Sequence, residues 1–214
     1  MLTRLLTVAV ATASLAMGSV VMFDDFGPGD SFMPGPGIVV GCGAVCFGNE
    51  GYSHAWSFVA PATGTLSVVE WVAFLGPTPT ATLTVGIHSD AGGLPGAYLE
   101  SFGAPVGASP GHFTFSSSLR PQLVAGQTYW FSATTMDLVN QAAELGINSI
   151  GVTGPEALRL DAGPWTPSTS TAYAVFRVTA DDVPEPSTSV FVLGSLCLVG
   201  FRISKGSRSA SAAG

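Results

Sequence analysis

The sequence predicts an all-β fold, an antiparallel β-sandwich of jelly-roll-like type, flanked by an N-terminal signal peptide and a C-terminal transmembrane helix. Three observations carry this. Short segments between residues 19 and 182 alternate apolar and polar residues with period two. Turn residues separate them: Gly (27) and Pro (15) make up about a fifth of the 214 residues. No long amphipathic helical pattern competes.

The clearest strand is Thr82–His88, with Leu83, Val85 and Ile87 on one face. In Leu66–Phe74, Leu66, Val68, Val72 and Phe74 share one face and Val69, Trp71 and Ala73 the other, with Glu70 interrupting the first as at a sheet edge. A strand apolar on both sides suits the middle of a packed sandwich. Further strands are expected at Ala55–Val59, Tyr98–Phe102, His112–Ser116, Thr128–Ala133 and Ala172–Thr179, and a short helix near Asp137–Leu145. Gly76-Pro77, Asp90–Gly93, Pro95-Gly96, Ser109–Gly111, Ala125-Gly126 and Ala162–Pro164 supply the turns.

The chain divides into residues 1–18, 19–182 and 183–214. Arg4 followed by the apolar run Leu5–Met17 is built like a secretory signal peptide, with cleavage expected after Ala16 or Gly18. This implies signal peptidase and the Sec export machinery as partners. The tail holds Pro184-Glu185-Pro186, then the apolar run Val190–Phe201 within a helix expected over 189–203, then Arg202, Lys205 and Arg208 in a basic end at 202–208. The prolines break regular structure and leave an accessible backbone around Glu185. The apolar run halts in the inner membrane, and the basic stop stays cytoplasmic.

Charged residues are only 10% of the chain, against about a quarter in ordinary soluble domains. The stretch between the two apolar runs sets three arginines against all fourteen acids, a net charge of −11. Such a body disfavours nucleic acid and anionic membranes as partners.

The order Pro184-Glu185-Pro186, Ser187-Thr188, apolar Val190–Phe201 and basic Arg202, Lys205 and Arg208 resembles the PEP-CTERM sorting signal of Gram-negative and related bacteria. The resemblance covers about the last 30 residues. It implies recognition by a membrane-embedded exosortase that processes the tail near the motif, in strains that make exopolysaccharide. The chain is then inner-membrane anchored before processing and at the cell surface or in the extracellular matrix afterwards. A softer resemblance lies in the body. The segment Ile87–Ala97, IHSDAGGLPGA, and the segment Leu123–Trp130, LVAGQTYW, are similar to stretches of choice-of-anchor β-sandwich domains. That resemblance implies a fold and a location and carries no enzymatic role.

Candidate chemistry is sparse, and the chain is read as no enzyme, with no catalytic residue, no cofactor and no metal site. Gly107–Gly111 matches G-x-S-x-G around Ser109, but a strand follows where a nucleophile elbow needs a helix. His54, His88 and His112 lack ligand spacing, and His88 with Asp90 at a strand end is read as turn chemistry rather than a metal pair. Asp24, Asp25 and Asp30 lie among glycines, as calcium ligands or as a solvated segment. Glu70, Asp90, Glu100, Asp137, Glu144 and Asp161 are scattered, with no motif pairing any two for glycoside hydrolysis. Cys42 and Cys46 suit a small-loop disulfide in an oxidising compartment, with free thiols or a metal contact as alternatives. Trp165, between Pro164 and Thr166-Pro167, is the sugar-stacking candidate, against loop-to-core packing. The expected role is a structural or adhesive surface protein. The alternative is a secreted carbohydrate-binding or carbohydrate-active protein, with exopolysaccharide as partner.

Overall fold

The structure, a computed structural model, describes residues 18–42, 50–75, 81–106, 110–135, 137, 141–170 and 172–182. The signal peptide, the sorting motif Pro184-Glu185-Pro186, the apolar tail and the basic stop Arg202, Lys205 and Arg208 lie outside the described residues. So do Ser109, Cys46 and the Cys42 side chain.

Among the described residues the regular elements are strands. They are β1 (Ser19–Asp24), β2 (Met33–Cys42), β3 (Gly51–Val59), β4 (Gly64–Leu75), β5 (Ala81–Asp90), β6 (Pro95–Val106) and β7 (Gly111–Ser116). There follow β8 (Gln122–Leu123), β9 (Thr128–Thr135), β10 (Ala142–Ile147), β11 (Glu156–Leu160), β12 (Thr166–Pro167) and β13 (Phe176–Asp182). Gly18–Asp182 forms one compact unit.

The fold is all-β and its strand pairs are antiparallel. The strands join in one strongly curled sheet, a half-barrel, in the order β1-β13-β4-β10-β2-β3-β9-β5-β6. Strands β7 and β8 branch from β4, and β11 and β12 from β3. Curling brings distant strands face to face: Phe131 on β9 stacks on Phe176 on β13 with centroids 4.4 Å apart. Phe23 on β1 stacks on the same Phe176 at 4.6 Å. Trp56, Trp71, Leu66, Leu83, Val85 and Ile87 are fully buried in this core. Each such large side chain contributes about 1.5–3 kcal/mol of burial.

Two expectations change. The face of Leu66 is reversed relative to the residues after it. A register shift between the β13 residues Thr179 and Ala180, opposite Val68 and Leu66, inserts an extra residue in β4. Leu66 therefore joins Val69, Trp71 and Ala73 in the core, and Val72 packs with Phe26 and Val175 in a separate cluster. The short helix near Asp137–Leu145 gives way to strand over Ala142–Ile147, where Ala143, Glu144 and Leu145 pair with β2 on one side and β4 on the other. A short apolar run carries no decisive period, and the two flanking strands decide it.

Candidate ligand face beside Trp130 and Trp165

Strand β3 sends His54, Trp56 and Phe58 one way and Ser53, Ala55 and Ser57 the other. Pairing carries the second face across the sheet: Ser57 opposite Trp130, Ala55 opposite Ser132, and then His88 opposite Trp130 and Gly86 opposite Ser132. On the other side of β3, Ala157 and Arg159 of β11 stand opposite Ala55 and Ser53. The β11–β12 turn lays Trp165 over this face, against Ala55, Trp130 and Ala157. Trp165 is thus half-buried rather than freely exposed.

An aromatic and cationic row crosses the face. The Tyr98 ring lies 3.8 Å from the His88 ring. It crosses Gly86, where a Cβ would meet it at 2.3 Å, so only glycine admits it. His88 meets Trp165 edge-on at 6.3 Å, and the Arg159 guanidinium stands 4.8 Å over the Trp165 ring. Tyr98 is 47% exposed.

His88 is held at both nitrogens. Nδ1 lies 3.0 Å from the Gly96 carbonyl, which only accepts, so Nδ1 carries the proton. Nε2 then accepts from the Ser132 hydroxyl at 2.7 Å. Burial holds this imidazole below its ordinary pKa, against the Gly96 bond, and the neighbouring Arg159 charge lowers it further. The pair has the spacing of a nucleophile and its base. Ser132 is only 2% exposed and His88 1%, so a substrate carbonyl does not reach them.

Beside Trp130 opens a cleft of about 520 Å3, lined by Ser57, Asp90, Thr128, Trp130, Pro155 and Tyr173 among others. Asp90 accepts from Trp130 Nε1 at 2.8 Å and from the Gly93 amide at 3.1 Å. Those bonds hold its carboxylate below the usual range. His88 and Asp90 are therefore committed to structural bonds. A cleft with an aromatic wall and a few fixed polar groups is a common form of small-ligand site.

The remaining candidates are drawn into structural bonds. Among the described residues no group of three or more His, Cys, Asp or Glu is arranged to hold a metal ion. Asp24 and Asp30 turn to Arg177 at 2.8 and 2.6 Å, with Glu70 at 3.1 Å, and Asp25 accepts the Phe176 amide at 2.7 Å. Glu100 takes Ser117, the Ser118 amide and the Leu119 amide; burial opposes its charge, but these donors outweigh it and keep the pKa low. Glu144 and Asp161 accept the amides of Gly37 and Gly51 at 2.9 and 2.8 Å. His54 contacts Glu156 at 2.6 Å, and His112 lies 3.6 Å from Glu70. Tyr98, Ser132 and Arg159 are the residues of this face that the sequence did not single out. The only advance signal was the place of Tyr98 at the start of the strand expected over Tyr98–Phe102.

No family model matches the chain, and no curated protein matches it.

Proposed function

We propose that the chain is an exported surface or matrix protein, sorted by its PEP-CTERM-like tail through an exosortase, whose body has a structural or adhesive role. One observation supports it above the rest. The compact unit Gly18–Asp182 begins where the signal peptide is expected to end and stops two residues before Pro184. Its first strand pairs with its last, Ser19 opposite Asp181, and the Asp182 amide donates to the Gly18 carbonyl at 2.8 Å. Removal of both flanks then keeps every described strand, from Ser19 to Asp182. In this reading the two halves of the curled sheet act as the layers of a jelly-roll-like sandwich, with Phe131 and Phe176 meeting between them. The commitment of the acids to structural bonds favours a non-catalytic role.

The test is the intact mass of the protein recovered from its native host, with and without exosortase. The expected mature chain starts at residue 17 or 19 and ends near Pro184, and loss of exosortase retains the tail. An unprocessed chain in the cytosol overturns the reading.

A second reading, carbohydrate binding by the body, is favoured by the Trp130 cleft and the exposed Tyr98 beside it. A glycan array with the purified protein separates the two.

A further inference from the structure

Of the three arginines in the described body, Arg120 pairs with Asp181 and Arg177 with Asp24, Asp30 and Glu70. Arg159 has no carboxylate partner among the described residues. The guanidinium's one hydrogen bond there is a long contact of 3.4 Å from Nη2 to Ser53, and its Nε is buried with no partner. A buried donor on a charged group that is left without an acceptor is destabilising. Residues 19–182 set three arginines against thirteen acids, a net charge of −10, so an unpaired guanidinium there is an unusual arrangement. Trp165 fixes the group from one face, and a guanidinium keeps its in-plane N–H fork for a planar bidentate acceptor.

We propose that Arg159 binds the carboxylate of an acidic sugar, a uronate residue in an extracellular polysaccharide. The carboxylate meets the guanidinium at its Nη edge, where Nη1 has no hydrogen bond among the described residues and is not buried, while Nε stays buried behind it. The sugar is expected there because the exposed Tyr98 ring stands further along the same aromatic row, past His88 and Trp165. The body's negative charge disfavours a dianionic phosphate at this position relative to a singly charged carboxylate. The inference rests on the carbohydrate-binding reading and is independent of how the tail is processed, so failure here leaves the export test intact.

The test is isothermal titration of the full-length chain in detergent with oligogalacturonate, neutral oligogalactose, acetate and inorganic phosphate as separate probes. Oligogalacturonate is expected to bind at least tenfold more tightly than each of the others. Arg159→Gln is expected to lose that advantage, and Arg159→Lys to keep part of it, since Lys supplies the charge without the fork. Thermal melts of both variants check folding, and the comparison of probes on the unaltered chain stands without them. Equal binding of charged and neutral oligomers keeps the carbohydrate reading and overturns the Arg159 assignment. Acetate or phosphate binding as well as oligogalacturonate overturns the sugar. No binding by any probe overturns the proposal.

Discussion

Arg177 and Arg159 lie on one folded body, each over an aromatic ring: Arg177 5.0 Å from the Phe26 centroid, Arg159 4.8 Å from that of Trp165. Their ionic surroundings are opposite. Arg177 meets three carboxylates at 2.6 to 3.1 Å, from β1, from the loop after it and from β4. Partial burial opposes its charge, and Asp30, Asp24 and Glu70 together hold the proton on. It fastens the first strand of the body to β4 and β13. Arg159 meets no carboxylate among the described residues, although the body carries a large excess of acid. The contrast teaches that a cation's role is set by what the topology brings to it. One arginine is a fastener, and the other is arranged to accept something from outside.

The largest expected effect lies beneath the fastener. Burial pushes the Asp25 carboxyl up to about 8, and neighbouring Asp24 raises it while the Phe176 amide opposes the rise. One of its oxygens, Oδ2, is buried without a partner. The folded chain therefore holds a proton that the unfolded chain gives up above about pH 4. Stability is expected to fall as pH rises from about 4 to about 8, by on the order of 4 kcal/mol at pH 7. Asp25→Asn should abolish this fall in urea unfolding at a series of pH values. What then remains rises with pH: the lowered Asp30, Asp90 and Glu100 contribute up to about pH 4–5, and His88, whose folded pKa lies below 6.5, up to about 6.5. A fall of the same size in Asp25→Asn would remove Asp25 as its source.

Next in size is the fastener itself. Arg177→Met leaves Asp24, Asp30 and Glu70 converging without a countercharge. Breaking a buried pair costs about 3–5 kcal/mol; the partial exposure of Asp24 and Glu70 reduces the expectation from those two to about 2–3 kcal/mol, and the exposed Asp30 is expected to add little. The melting temperature should drop by about 4–10 °C. In Glu70→Gln/Arg177→Met the two losses should be less than additive, because the second substitution relieves the repulsion left by the first. Strict additivity would show that Glu70 and Arg177 do not act together.

Much of the fold was legible in the sequence, and little of this contrast was. Thr82–His88 lies within β5, Leu66–Phe74 within β4 and Thr128–Ala133 within β9, because alternation and turn residues are local signals. Tyr129 and Trp130 face opposite sides as the Gly126 turn requires: Tyr129 joins the main core and Trp130 packs with Ala55 and Ala157. The strand expected at Ala172–Thr179 starts later in the fold, at Phe176, where pairing with β4 begins. β2 was missed because its prolines and glycines read as a breaker, and β10 because its short apolar run lacks a period. The reversed face of Leu66 depends on a bulge that only the partner strand reveals. Asp24 and Asp30 looked like candidate metal ligands because Arg177, about 150 positions away in the chain, was invisible beside them.

The smallest expected effect is the most discriminating. Arg159→Met removes a cation–π contact worth about 0.5–2 kcal/mol and a weak bond to Ser53. It also removes a buried N–H without a partner, whose desolvation costs about 1–3 kcal/mol, and keeps an apolar chain of similar length against Trp165. The two nearly cancel, so stability at pH 7 should change by less than about 1 kcal/mol, in either direction. Urea unfolding alongside Arg177→Met makes the comparison direct. If Arg159→Met costs as much as Arg177→Met, then Arg159 is also a fastener, with a structural partner of its own. A neutral or stabilising result leaves a charged residue that the fold holds at no benefit to its stability, as expected of a group kept for binding.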